Sequence, residues 1–74
     1  MVATPPDRDA DHGDLLAAVQ RLPDTLRHVV ILRQVEGFSH QEIAGLLGIS
    51  AGNSRIRLTR ALEALRRLLR PDQQ

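Results

Sequence analysis

The chain has 74 residues, of which 42% are hydrophobic, with one Phe and no Trp, Tyr or Cys. This composition allows one small domain with an aliphatic core, excludes disulfides, thiolate metal sites and thiol nucleophiles, and lacks the ~18-residue apolar run of a membrane span. The net charge of +1 conceals an acidic start and a basic remainder in which every cation is Arg, which favours a nucleic-acid partner. The absence of Cys is typical of a cytoplasmic protein.

The first part of the chain predicts a leader and two helices. Residues 1–13, MVATPPDRDADHG, have the polar, proline-containing composition of a disordered acidic leader or linker. A short first helix is indicated by apolar residues at helical spacing: Leu15, Leu16, Val19 and Leu22. Pro23 suits the first position of a second helix, which should continue to about Glu36 and end at Gly37.

A third helix is predicted after Ser39. Ser39 and Glu42 have the spacing of a capping box, in which each side chain accepts a hydrogen bond from the other residue's amide. Gly48 follows where the end of a helix needs a residue that tolerates positive φ. Apolar residues at i, i+3 and i+4 predict one buried face, formed by Ile43, Leu46 and Leu47.

A fourth helix is predicted from Ser50, a second N-cap, to about Arg70. Its buried side should carry Leu58, Ala61 and Leu65. A helix, a glycine-containing turn and an arginine-bearing helix predict a helix-turn-helix, whose second helix enters the major groove of DNA. The predicted fold is all-α: a compact four-helix domain over residues 14–70 with a C-terminal helix-turn-helix, followed by a tail at 71–74.

The fourth helix supplies the candidate DNA contacts. Arg pairs bidentately with guanine, Asn pairs with adenine, and the methyl groups of Ile and Thr suit thymine. The start of the helix, with its unpaired amides, should meet a phosphate. Arg57 is expected to act mainly as a strut, paired with Glu42, that also reaches phosphate. The complete set is Ser50, Gly52, Asn53, Arg55, Ile56, Arg57, Thr59 and Arg60.

No enzyme chemistry is predicted. His12, His28 and His40 lack metal-ligand spacing, and His28 and His40 are expected to be solvated helix residues. No His–acid pair accompanies a candidate serine nucleophile. We therefore expect no catalytic residue, metal, cofactor or small-molecule ligand.

These motifs together carry a family resemblance. Residues from Leu15 to about Leu69 resemble region 4 of bacterial sigma factors, most closely the extracytoplasmic-function group. The strongest parts are LP at 22–23, VVILRQVEGFSHQEIAGLLGIS at 29–50 and RLTRA at 57–61. The resemblance implies binding of the −35 promoter element, docking on the β flap of RNA polymerase and frequent capture by anti-sigma factors. Full factors of this group also have a region 2 that binds the −10 element, so the chain is expected to be a fragment or a domain that acts alone.

The recognition helix departs from the family pattern at two positions. Relatives commonly have Val where this chain has Ser54, on the buried stripe, and a small polar residue where it has Ile56, on the DNA side. Ser54 is expected to bond back to the Ser50 carbonyl. Ile56 is expected to touch a thymine methyl or, alternatively, to contact a protein partner.

A second surface is predicted to dock protein partners. Val30, Val35 and Phe38 are large apolar residues that four short helices need not bury completely, although Phe38 could instead fill the core. Two alternatives to promoter recognition stay open: an interaction module held by an anti-sigma factor, and a response-regulator effector domain, which shares the EIA-x-x-L-G-I-S pattern. The LP junction and the RIRLTR sequence favour the sigma pattern over the last.

Overall fold

The computed structural model describes residues 6–69, with side-chain surroundings for residues 13–69. These residues form four α-helices and one π-helical segment: α1 (Pro6–Gln20), α2 (Asp24–Val30), the π-helical segment (Ile31–Val35), α3 (His40–Leu47) and α4 (Ala51–Leu68). No strand occurs within residues 6–69, which confirms the all-α prediction. In the same range no helix is long and apolar enough to cross a membrane, and no three metal-ligating side chains converge.

Helix α1 begins earlier than the sequence indicates. It starts at Pro6, so residues 6–13 of the predicted disordered leader are helical, while residues 1–5 lie outside the described residues. Proline is accepted in a first helical turn, and a sequence with Asp in that turn favours a helix start. Composition alone does not detect these local preferences. The division into leader, domain and tail stays a prediction.

Helix α2 continues into a wider helical turn. Pro23 is the N-cap rather than the first helical residue, so α2 begins one position later than predicted. The amide of Glu36 donates to the carbonyl of Ile31, five residues back, at 3.0 Å, which is the bonding of a π-helix. Gly37 ends the segment with a φ of +80°, as predicted. The helical stretch is therefore continuous to Val35, but its last turn is not α-helical.

The core is aliphatic and centres on α4, which packs against α2 and α3 and, less extensively, α1. Its main cluster contains Ala18, Leu22, Val30, Ala61 and Leu65, and Val29 and Ile43 are also fully buried. Ala61 and Leu65 confirm the predicted buried side of α4. Leu58 packs against the cluster while only partly buried.

The predicted buried face of α3 needs one correction. Leu46 is 60% exposed, whereas Ile43 is fully buried. The residues of α3 that are buried or half-buried are His40, Ile43, Ala44 and Leu47, which share one face at i, i+3, i+4 and i+7. Leu46 lies to the side of that face. The apolar character of Leu46 suggested a core position. However, α4 covers the side of α3 on which His40 lies, and Leu46 is not on that side.

Candidate nucleic-acid interface

The turn between α3 and α4 is built by local caps. The Ser39 hydroxyl accepts from the amide of Glu42 at 3.0 Å, and Glu42 Oε1 accepts from the amide of Ser39 at 2.8 Å. This confirms the predicted capping box. At the other end of α3, Gly48 has a φ of +71°, and its amide donates to the Ala44 carbonyl at 2.9 Å. A left-handed residue at this position ends the helix and redirects the chain toward α4.

The start of α4 is capped and open to solvent. Ser50 Oγ accepts from the amide of Asn53 at 2.9 Å, which confirms the predicted N-cap. The two helical amides before Asn53 have no acceptor within the helix, because they belong to its first turn. Gly52 is exposed, and a Cβ placed there would meet only Ser50 Oγ, at 3.9 Å. The backbone here is therefore accessible to an anion.

Five of the predicted DNA contacts lie together on the exposed side of α4: Asn53, Arg55, Ile56, Thr59 and Arg60. Four of them line an open groove with Glu63, namely Arg55, Ile56, Thr59 and Arg60. Ile56 is 52% exposed, so α4 presents an apolar patch between two arginines. Glu63 was not among the predicted residues, although its spacing from Thr59 and Arg60 places it on their face. Its carboxylate makes this end of the groove unfavourable to phosphate.

Arg57 is held by its own helix. Its Nε donates to Asn53 Oδ1 at 3.0 Å, one turn away. The expected ion pair with Glu42 does not form, because Glu42 accepts from Ser39 in the capping box and the one ion pair within the described residues joins Arg27 to Asp24. Arg57 is half-buried and holds the amide side chain of Asn53.

Ser54 and His40 meet across the helix-turn-helix. Ser54 is fully buried, as its place on the stripe predicted, but its hydroxyl lies 2.8 Å from His40 Nδ1 rather than on the Ser50 carbonyl. His40 is half-buried, so the expectation of a solvated histidine was wrong. Burial, followed by the charges of Arg33 and Arg55, lowers the pKa of His40. His40 is therefore harder to protonate than a solvated histidine.

The predicted docking residues separate in the structure. Val30 is 3% exposed and belongs to the core, so it offers no docking surface. Val35 is 74% exposed at the end of the π-helical segment. Phe38 is half-buried, and its carbonyl accepts from an Nη of Arg33 at 2.9 Å. The burial of Val30 follows from its place on α2 toward α4, which apolar character alone does not indicate.

Comparison with known proteins gives one consistent family. Residues 12–65 match the family described as Sigma-70, region 4. The chain is 44% identical over 73 aligned positions to the RNA polymerase sigma factor CarQ of Myxococcus xanthus, covering 90% of this chain and 42% of that relative. It is 36% identical over 64 positions to the RNA polymerase sigma-H factor of Pseudomonas aeruginosa, covering 86% of this chain and 33% of the relative.

A third relative is the ECF RNA polymerase sigma factor SigE of Mycolicibacterium smegmatis, which is 41% identical over 54 positions, covering 73% of this chain and 21% of that protein. The chain thus spans less than half the length of each of these three relatives. No solved structure matches it significantly.

Proposed function

Because this chain belongs to the region 4 family of sigma factors, as its resemblance predicted, we propose that it binds the −35 element of promoter DNA and helps to recruit RNA polymerase. The observation that carries the proposal is the capped, solvent-exposed start of α4, which presents arginines beside an open backbone turn. A helix in this position of a helix-turn-helix reads the major groove through its N-terminal residues. The role is not enzymatic, and it belongs in the cytoplasm, where RNA polymerase acts.

Each proposed contact follows from the chemistry of its side chain. Arg55 reads a guanine, Asn53 reads an adenine, and the methyl groups of Ile56 and Thr59 contact thymine. Arg57 orients the Asn53 side chain within α4, in place of the predicted pairing with Glu42, and also approaches phosphate. Arg60 and the first-turn backbone of α4, capped by Ser50 and opened by Gly52, contact phosphates.

The test begins with the sequence preference of the 74-residue chain, obtained by selection from a randomised duplex library. Arg55→Ala should weaken binding to the selected duplex by about 1–3 kcal/mol and relax specificity at one base pair. Arg21→Ala is the matched control, because it removes an exposed arginine that lies between α1 and α2 and does not line the groove on α4. Unchanged discrimination between matched and mismatched duplexes in Arg55→Ala would contradict the assignment.

The dependence of binding on salt tests the electrostatic part. If α4 neutralises about four phosphates, the plot of log K against log salt should have a slope of about −3.6, from about −0.9 per phosphate. A slope close to zero would show that the working partner is a protein and not DNA. A single short half-site should also bind weakly by itself, so we expect core polymerase to strengthen binding through a second anchor.

Docking on the polymerase β flap, or on an anti-sigma factor, is proposed for Val35 and Phe38. Val35 is the better probe, because it is highly exposed and its truncation should leave the fold intact. Val35→Ala should lower affinity for core polymerase while sparing affinity for DNA, and Phe38→Ala should do the same if the domain stays folded. Equal polymerase binding by wild type and both variants would place the docking surface elsewhere.

An interaction module held by an anti-sigma factor remains the second candidate function. The observation that favours it is the exposure of Ile56 and Leu46, two large apolar side chains on the helices of the motif. Exposed apolar side chains that lie close together mark surfaces that bind other proteins. Under this alternative Ile56→Ser should abolish capture by the partner and leave any DNA binding unchanged, whereas promoter reading predicts weaker binding to the selected duplex.

A further inference from the structure

The buried hydroxyl of Ser54 depends on a partner from another helix. Ser54 is fully buried, and its Oγ lies 2.8 Å from His40 Nδ1. Within the described residues no buried side-chain polar atom lacks a hydrogen-bond partner, and His40 satisfies this one. Because a buried hydroxyl without a partner destabilises a fold, the identities of the two residues are linked.

The His40–Ser54 pair lies next to the exposed residues of α4. His40 is the first residue of α3, and Ser54 directly precedes Arg55. Arg33 is also near His40, since its charge acts on the imidazole and its guanidinium donates to the carbonyl of Phe38, two residues before His40. A shift of Ser54 relative to His40 would therefore turn Arg55 as well.

We propose that His40 is a positioning residue for DNA recognition. Through its bond to Ser54 it fixes the rotation of α4 on α3, and it thereby directs Arg55 into the major groove of DNA. The proposal rests on promoter binding by α4 and adds to it a residue that itself touches no base. A hydrogen bond suits this task better than an apolar contact, because its length and angle are restricted. The preference for polar pairs at helix contacts that must keep one register has the same origin.

The charges around His40 give the pair a distinctive response to pH. Burial, Arg33 and Arg55 lower its pKa in the free domain, and its place at the positive start of α3 acts in the same direction. The nearby carboxylate on its own helix, Glu42, accepts from the Ser39 amide, and Glu63 lines the groove with Arg55. Phosphates that bind Arg55 would offset the repulsion, so His40 should take up a proton more readily in the complex.

The hydrogen bond itself survives protonation. Ser54 can donate its hydroxyl hydrogen to the neutral Nδ1, or accept from a protonated Nδ1–H. Protonation therefore changes the charge beside Arg55 without breaking the contact.

Two opposite trends with pH follow. His40 has a lower pKa folded than unfolded, so as pH falls below about 6.5 the unfolded chain gains protons first and the free domain loses stability until pH reaches the folded pKa. On DNA the His40 pKa is higher than in the free domain, so affinity for DNA should rise over the same range of falling pH.

A double-mutant cycle on the 74-residue chain tests the pairing. His40→Leu should lower the folding equilibrium constant about 5- to 150-fold, because it leaves the Ser54 hydroxyl buried and unpaired. The double variant His40→Leu with Ser54→Val should recover most of that loss, since both partners are then apolar. Ser54→Val should increase the stability of the wild-type domain clearly less than it increases the stability of the His40→Leu variant. Additive effects, measured by urea unfolding, would overturn the pairing.

DNA binding by the double variant tests the positioning role, using the duplex selected by the wild-type chain. Between about pH 7.5 and 5.5 the wild-type affinity should rise as pH falls, and that of the double variant should lose this dependence. Discrimination at the base pair read by Arg55 should also be lower in the double variant. His12 and His28 are present in both chains, so the difference isolates His40.

The outcomes separate the two proposals. Superimposable pH profiles together with equal discrimination would overturn the positioning role while leaving promoter binding intact. Failure of the wild-type chain to bind any selected duplex, even with core polymerase, would overturn promoter binding and the positioning role together, whereas the coupling in the unfolding cycle would still stand as a structural fact.

Discussion

Two short helix junctions within residues 6–69 are held in different ways, one between α1 and α2 at residues 20–24 and one between α3 and α4 at residues 47–51. The α1–α2 junction is held by Arg27, whose guanidinium donates to the carbonyls of Gln20 and Leu22 at 3.3 Å and pairs with Asp24. The α3–α4 junction is held by caps, a left-handed glycine and buried contacts. Both junctions adjoin the core, since Leu22 in the α1–α2 junction is 3% exposed. They differ in their polar contacts, because helix caps hold the junction beneath the proposed DNA face, whereas the other has an exposed ion pair, which water and salt weaken.

The largest effect should come from the packing beneath the α3–α4 junction. Ile43→Ala should lower the free energy of unfolding by about 2–5 kcal/mol, because it leaves a cavity at a fully buried position of α3, which packs on α4. Leu46→Ala is the matched control and should change it little, since Leu46 is largely exposed on the same helix. Urea unfolding would measure both, and equal losses would contradict the distinction between the two faces of α3.

A middle-sized effect is expected from the cap of α4. Ser50→Ala should cost about 0.5–2 kcal/mol of stability, because the Asn53 amide loses its acceptor. Thr25→Ala is the control, since it removes an exposed hydroxyl near the start of α2, whose N-cap Pro23 makes no side-chain cap. If thermal unfolding shows the same shift for both variants, capping does not distinguish the junctions.

The smallest effect should be at the α1–α2 junction. Asp24→Asn removes the ion pair with Arg27 but leaves the bonds from Arg27 to the two carbonyls, and the Asp24 side chain is 73% exposed. We expect a loss of at most about 1 kcal/mol, which should shrink at high salt. Asp14→Asn, an exposed carboxylate in α1, is the comparison. A loss that exceeds that of Ser50→Ala would reverse the ranking of the two junctions.

Sequence patterns predicted the α3–α4 junction best, because its parts are local. A capping box spans four residues and a helix-ending glycine needs only its own backbone, so both can be read without the rest of the fold. The His40–Ser54 bond joins residues that are 14 positions apart and depends on how α3 and α4 pack. The sequence did contain an indication that His40 is partly buried, since His40 lies three positions before Ile43 and shares its face of the helix.

The π-helical segment could not be predicted from the sequence for a different reason. Ile31–Val35 has the same apolar periodicity that an α-helix would show, and no residue in it forbids α-helical bonding. The chain that follows is bonded back to this segment, since the Phe38 amide donates to the Leu32 carbonyl and Arg33 donates to the Phe38 carbonyl. The sequence likewise could not separate Val30 from Val35 as surface residues, because burial depends on which side of the helix α4 covers.

The bond between Arg57 and Asn53 has a consequence for how a base would be chosen. A free Asn side chain must lose its rotational freedom when it meets a base, at a cost of about 0.5–1.5 kcal/mol per side chain ordered. Asn53 is already held at its oxygen, 3.0 Å from Arg57 Nε, so part of that entropy is lost during folding rather than at the DNA. A side chain fixed in advance also adapts poorly to a mismatched base, so the wrong sequence gains least from it.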